Sequence, residues 1–195
     1  MKLLHLDSSA LGANSVSREL SAAIVAQWSA QHPGLKVEYR DLDAEPLPHL
    51  TGASLARSDA AEAADAERVL EQFLAADVVV IGVPMYNFGI PSTLKAWIDR
   101  IAVAGRTFRY TETGPEGMAG GRTVIIASAR GGLHTGAPTD FQEPYLRQVF
   151  GFIGIDDVQF VRAEGVAYSP DHRAQALAAA RAQIARMDVA QAVAA

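Results

Sequence analysis

Apolar and polar positions follow two rhythms along this chain, and the places where one gives way to the other mark its elements. The plainest is Val78-Val79-Val80-Ile81-Gly82-Val83, an unbroken apolar run rich in β-branched residues. Such a run predicts a strand buried on both faces of a parallel sheet. It stops at Pro84, which lacks the N–H needed to continue a central ladder. Further on, Leu94, Trp97, Ile98 and Ile101 recur at helical spacing within Thr93–Ile101, and Pro91 suits the first turn of that helix. Met85–Gly89 is therefore a tight loop at the carboxyl end of a central strand, where open α/β sheets take their ligands. It offers an Asn amide, two aromatic rings and free backbone N–H groups, a set suited to a flat ring with polar edges.

The same two rhythms extend in both directions along the chain. Lys2–Leu6 is a short apolar strand, followed by Asp7–Ser17, in which seven of eleven residues are Ser, Asn, Asp or Gly, a loop composition. A helix follows with Leu20, Ala23, Ile24 and Trp28 on one side, ended by His32-Pro33-Gly34, with Ser15 or Ser17 as its N-cap. Leu35–Asp41 alternates as a second strand nearer the sheet edge, and Leu42–Thr51, with two prolines, is irregular. Ser54–Ala76 is a second helix, open to a break, turning Val69, Leu70, Phe73 and Leu74 inward. The glycine-rich Gly105–Gly121 around Thr107–Thr111 suggests a hairpin outside the regular sheet. Arg122–Ala129 is a fourth strand, Phe141–Gly154 a helix, Asp156–Arg162 a fifth strand and Asp171–Asp188 the last helix, with fraying expected from Ala190. Strands alternating with helices predict one α/β domain over residues 1–195, a doubly wound five-stranded parallel sheet of order 2-1-3-4-5 with helices on both faces.

Composition narrows the function. A chain of 195 residues, 49% hydrophobic and 20% charged, suits a soluble globular domain able to bury roughly 70% of its unfolded surface. Its net charge of −5 shows no footprint for nucleic acid and disfavours anionic membranes. There is no cysteine, which removes disulfides, thiolate catalysis and iron–sulfur clusters. The amino terminus turns polar too soon for a signal peptide, and no apolar stretch approaches a bilayer span; a cytoplasmic location is expected.

In the 2-1-3-4-5 order the loops after strands one, three and four lie side by side, and these are the unusual ones. The first runs from Ser9 through Ser15, Val16 and Ser17 into a helix N-terminus, where free N–H groups and the helix dipole favour an anion; serine capping alone would also explain it. The third-strand loop carries Pro84, Met85, Tyr86, Asn87 and Phe88, and is a ligand platform or a compact turn with core aromatics. The fourth, Ala129-Arg130-Gly131-Gly132, lets backbone approach a ligand, or is a plain glycine turn. Together the three make one crevice with a phosphate end, an aromatic middle and backbone donors. His134 is the one acid/base candidate beside it, though a histidine in such a loop is commonly structural. No G-x-G-x-x-G follows the first strand, no P-loop or G-x-S-x-G is present, and the remaining histidines show no metal spacing. Without cysteine or metal, difficult chemistry calls for a borrowed cofactor.

Three segments, Pro84–Pro91, Thr107–Gly117 and Phe152-Ile153-Gly154-Ile155, resemble the FMN-dependent NADH-azoreductases, flavodoxin-like NAD(P)H:quinone reductases. The resemblance covers nearly the whole chain. It implies a flavodoxin-like fold, one noncovalent FMN per subunit, and a homodimer with active sites at its interface. It further implies that Ser9, Ser15, Val16 and Ser17 hold the phosphate and ribityl chain, that Met85–Phe88 contact the isoalloxazine, and that Ala129–Gly132 line its pyrimidine side. The chain departs from the pattern at Ala129, where the family usually carries Ser, and at Ser9-Ala10, where several members have Ser-Pro or Ser-Ile.

The expected chemistry is transfer of two electrons from NADH or NADPH to the flavin, then to quinones or aromatic azo compounds on the same face, hence in ping-pong order. The flavin carries the reaction and no side-chain nucleophile is required. Tyr110 and Phe152 would form an apolar lid over the substrate, contributed by either subunit. The absence of an Arg cluster for a 2′-phosphate leans toward NADH. The alternatives are an acyl carrier protein phosphodiesterase, for which no acid/base cluster is visible, and a flavin-binding protein of sensing or assembly.

Overall fold

A computed structural model of the chain describes residues 1–187. Thirteen elements follow one another within them: β1 (Lys2–Asp7), α1 (Val16–Gln31), β2 (Lys36–Asp41), α2 (Gly52–Ala56), α3 (Ala60–Leu74), β3 (Val78–Pro84), α4 (Ser92–Ile101), β4 (Phe108–Thr111), β5 (Gly114–Gly117), β6 (Thr123–Ala129), α5 (Gln142–Phe152), β7 (Val158–Ala163) and α6 (Pro170–Ala185). Five strands pair in parallel in the order β2-β1-β3-β6-β7, while β4 and β5 form a separate antiparallel hairpin. Leaving out the hairpin, this is the predicted 2-1-3-4-5 sheet.

The strand period of two divides the core into two layers. Val78 and Val80 of β3, with Ile125, Ala127 and Ala129 of β6, pack against Leu20, Ile24 and Trp28 of α1 and Ala180 and Ile184 of α6. Val79, Ile81 and Val83, with Val124 and Ile126, face α3, α4 and α5 through Phe73, Trp97, Ile98 and Phe150. Helices thus cover both faces, and β3 is buried along its whole length. β2, at the edge, is largely exposed, as its alternating sequence implies.

Some boundaries differ from the sequence reading for local reasons. The strand includes Pro84, paired with Ala129, instead of ending before it. Met85 N–H donates to Ala129 O on the β6 side, so the missing N–H of Pro84 faces the side where β1 has already ended at Asp7. The second helix is indeed broken: α2, with a Thr51–Ser54 capping box, stops at left-handed Arg57, and α3 restarts on Asp59, whose carboxylate accepts from Ala61 and Glu62 N–H. Between them, Ser15 and not Ser17 caps α1, and Pro91 sits at the N-cap of α4, just ahead of the first turn. The last helix ends at Ala185; Asp188 and the expected fraying from Ala190 lie outside the described residues.

Candidate functional site

The first loop wraps into α1 through a single 3-10 turn at Gly12–Asn14. Ser15 Oγ accepts from Arg18 N–H at 3.3 Å and lies 3.1 Å from Ser17 Oγ. The N–H groups of Val16 and Ser17 belong to the first helical turn and have no intrahelical acceptor. Ser9, Ser15 and Ser17 are buried, and the Ser15 and Ser17 hydroxyls stand at that positive helix end. The loop itself is held from behind. The Arg18 guanidinium donates twice to Ser9 O, at 2.7 and 3.2 Å, and in fork geometry to Asp41 at 2.6 and 2.7 Å. The Arg18 bond holds the Asp41 carboxyl below its usual range. Tyr39, partly buried and facing Asp7 and Asp41, has its phenol pushed up to about 12.

The third-strand loop is a two-residue turn. Tyr86 and Gly89 exchange N–H···O bonds at 3.1 and 3.0 Å, and Asn87 and Phe88 between them have φ of +49° and +68°. Two successive left-handed residues define a type I′ turn. For a bulky residue such as Phe88 that conformation is costly and persists only when neighbours over-determine it. The neighbours are visible. Tyr86 Oη accepts from Ala10 N–H at 3.2 Å and lies 3.1 Å from Ser9 Oγ, so Tyr86 joins this turn to the first loop. The Phe88 ring, half exposed, meets the edge of His134 with centroids 5.8 Å apart, joining it to the fourth loop.

In the fourth loop the N–H groups of Gly131 and Gly132 donate to no atom among the described residues, while the carbonyls of Arg130, Gly131 and Gly132 accept from Val166, Ala167 and Gly165. A Cβ on Gly132 would come within 2.9 Å of His134 Nε2, so glycine lets the imidazole lie across the backbone. His134 Nδ1 is 2.9 Å from Thr139 Oγ1. Two of the expected residues turn their side chains away from this edge of the sheet. The Ala129 methyl packs into the α1/α6 layer. The Arg130 side chain turns inward and is fully buried, donating to Ser128 Oγ (3.1 Å), Asp140 (2.8 Å) and Glu164 (3.3 Å). Glu164 Oε1 also accepts from His134 and Thr135 N–H. Burial would raise the Glu164 carboxyl, but these bonds and the Arg130 charge outweigh it and hold it below the usual range.

Tyr110 and Phe152 are not brought to this site by their own chain. Helix α5 starts beside Pro84 O and runs back across the sheet for about 15 Å, at roughly 1.5 Å per residue, so Phe152 lies at the amino edge. There Ile153 O accepts from Ala119 N–H, and Phe108 bridges Phe152 and Tyr110 with ring centroids 4.6 and 5.5 Å apart. Tyr110 is 75% exposed. Both residues thus stand apart from this chain's own carboxyl-edge loops.

Sequence reasoning missed the residues behind the site, above all Gln142. Its side chain is completely buried, donating to Pro84 O (3.0 Å) and Gly89 O (3.3 Å) and accepting from Ser128 Oγ (2.9 Å). A glutamine opening an amphipathic helix looks like an exposed position, and no pattern marks it otherwise.

A doubly wound parallel sheet whose carboxyl edge joins a serine-capped helix N-terminus, a strained aromatic turn and a glycine loop with free N–H groups defines a flavodoxin-like protein. Comparison with known proteins agrees. The chain belongs to the Flavodoxin_2 family, described by its flavodoxin-like fold, which matches residues 1–187. It is 68% identical over 195 residues, covering all of both chains, to a Stenotrophomonas maltophilia protein named FMN-dependent NADH:quinone oxidoreductase. A Xanthomonas euvesicatoria pv. vesicatoria protein named FMN-dependent NADH:quinone oxidoreductase 1 is 73% identical over 182 residues, 93% of this chain and 94% of that one. Among solved structures, an FMN-dependent NADH-azoreductase from Bacillus anthracis in complex with FMN aligns with TM-score 0.86 and 28% identity, covering 94% of this chain and 95% of that one. No helix among the described residues is long and apolar enough to cross a membrane.

Proposed function

We propose that this chain is a cytoplasmic FMN-dependent oxidoreductase that passes two electrons from NADH or NADPH to quinones and aromatic azo compounds in ping-pong order. The observation that carries the reading is the convergence of three loops, tied together by Tyr86 and by the Phe88–His134 contact, on one sheet edge that carries the start of α1 and two N–H groups with no acceptor among the described residues. The relatives' names favour this oxidoreductase over a carrier-protein hydrolase. FMN, when bound, supplies the redox chemistry.

The chain's own residues divide the remaining work. Ser9, Ser15 and Ser17 hydroxyls with the Val16 and Ser17 N–H groups hold the phosphate, where the helix dipole contributes roughly 0.3–1 kcal/mol per charge. The Pro84–Phe88 backbone and the Phe88 ring border the isoalloxazine, and the backbone of Ala129–Gly132 borders its pyrimidine edge. Fixed N–H groups of Gly131 and Gly132 would stabilise negative charge at that edge of a bound flavin without reorganising. His134 positions the fourth loop and is no proton donor in this scheme.

Since Tyr110 and Phe152 stand at the opposite edge, the lid comes from a second copy. In the homodimer, Tyr110 and Phe152 of the partner subunit cover the crevice and stack on flat acceptors, each contact contributing about 0.5–1.5 kcal/mol beyond burial. An apolar slot of this kind discriminates weakly, which gives broad acceptor tolerance.

The decisive experiment is optical. Purified protein should be yellow, release FMN on heating, bleach with NADH under anaerobic conditions and recover its colour on adding a quinone or an azo dye. A colourless protein that takes up no FMN at micromolar concentration overturns the proposal.

A further inference from the structure

We infer that Gln142 is a positioning residue for the flavin crevice, holding the third-strand turn and the fourth-strand loop in register through a buried relay. The inference rests on the flavin reading above. The relay runs without a break: Glu164 accepts from Arg130, Arg130 Nε donates to Ser128 Oγ, Ser128 Oγ donates to Gln142 Oε1, and Gln142 Nε2 donates to the carbonyls of Pro84 and Gly89. Ser128, Arg130 and Gln142 are buried, so water does not substitute for a lost partner.

The position of its last link sets the role of Gln142. Pro84 and Gly89 are the residues just outside the Met85–Phe88 segment, and one amide nitrogen binds the carbonyl of each. It therefore fixes the two ends of the turn that holds Phe88 at φ +68°. A strained turn of this kind relaxes when a restraint is removed. Meanwhile the other end of the relay fixes the loop bearing the Gly131 and Gly132 N–H groups, because Glu164 also accepts from His134 and Thr135 N–H. The distance and angle between the aromatic turn and the free N–H pair thus pass through Gln142. Those N–H groups act more strongly on charged than on neutral flavin, because hydrogen bonds to an ionised acceptor are roughly twice as strong as neutral ones. Loss of register weakens reduced FMN more than oxidised FMN, and the midpoint potential falls.

Gln142→Met keeps the side-chain length and removes every bond. In the FMN-loaded variant, binding of reduced relative to oxidised cofactor should weaken about tenfold, which lowers the two-electron midpoint by about 30 mV. The dissociation constant of oxidised FMN should rise less than that. Ser128→Ala removes only the shared hydroxyl and leaves Gln142 able to reach both carbonyls, so its shift should have the same sign and be smaller. If Gln142→Met does not fold, Ser128→Ala decides alone. Wild-type midpoint and wild-type FMN affinity in the folded variants, with only the melting temperature changed, would make Gln142 ordinary core packing and overturn the inference. Absence of FMN from the wild-type protein would instead overturn the functional reading itself, so the two failures are distinguishable.

Discussion

Replacing Tyr86 by Phe removes one oxygen from the seam between the first and third loops and leaves the turn's backbone bonds in place. That oxygen makes two contacts, with Ala10 N–H at 3.2 Å and Ser9 Oγ at 3.1 Å. A neutral hydrogen bond contributes about 1 kcal/mol net, and the cost of losing it depends on whether water can replace it. Ala10 is exposed, so its N–H finds water and little is lost there. Ser9 is fully buried and, among the described residues, its hydroxyl keeps one partner, Leu11 N–H at 3.3 Å. The expected loss is therefore about 1 kcal/mol, not the doubled value, and it falls on the loop that holds the phosphate. Expressed in binding, that is a rise of about fivefold in the FMN dissociation constant. The turnover number of the loaded enzyme should stay near wild type, since the free N–H pair is untouched. Titrating apoprotein with FMN and following the quenching of flavin fluorescence measures the change directly. An unchanged dissociation constant would show that the seam does not set the phosphate loop. A rise well beyond fiftyfold would show that the phenol touches the cofactor itself, and either result refutes the reasoning.

Other consequences follow from the same geometry. Mixing a Tyr110→Ala chain with a Gly132→Val chain should restore about a quarter of wild-type activity, because half of randomly formed dimers are mixed and each has one intact site; no recovery would mean that the lid comes from the same subunit. Gly117→Ala should unseat the hairpin, since its Cβ would fall 2.1 Å from Gly154 N and 2.4 Å from Gly154 Cα, both backbone atoms. Overpacking of this kind costs roughly 1–3 kcal/mol, and a melting temperature equal to wild type would contradict it. Acid should destabilise the fold through Glu164, Glu143 and Asp41. Arg18 lowers Asp41, and for Glu143 the bonds from Arg162 and Arg147 outweigh burial. Each carboxyl thus has a folded value below its ordinary one, 4.5 for Glu and 3.8 for Asp. Their stabilisation is complete above those ordinary values and is lost as pH falls through the lowered ones. Denaturant midpoints should therefore begin to drop as pH falls below about 4.5, and Glu164→Gln should flatten that drop; a midpoint that holds steady on further acidification would count against it.

The sequence by itself determined the sheet, its strand order and the identity of the three loops at its carboxyl edge. Each of these depends on near neighbours: an apolar run at period two or 3.6, a proline or glycine at its end, a serine at a helix start. Val78–Val83 could hardly be anything but a strand buried on both faces, and Ser15 was one of two residues able to cap α1. Tertiary structure decided what those loops are fastened to. Arg130 reads as a cation beside a ligand and instead lies buried among Asp140, Glu143 and Glu164, contacts made across as many as 34 positions of chain. Gln142 reads as surface and is completely buried. Tyr110 and Phe152 read as a lid and stand at the far edge, because α5 carries the chain back across the sheet before Phe152 is reached. Periodicity reports which face of an element is apolar; it holds no information about which distant carbonyl or carboxylate will meet a buried polar group, and only the packed chain supplies that.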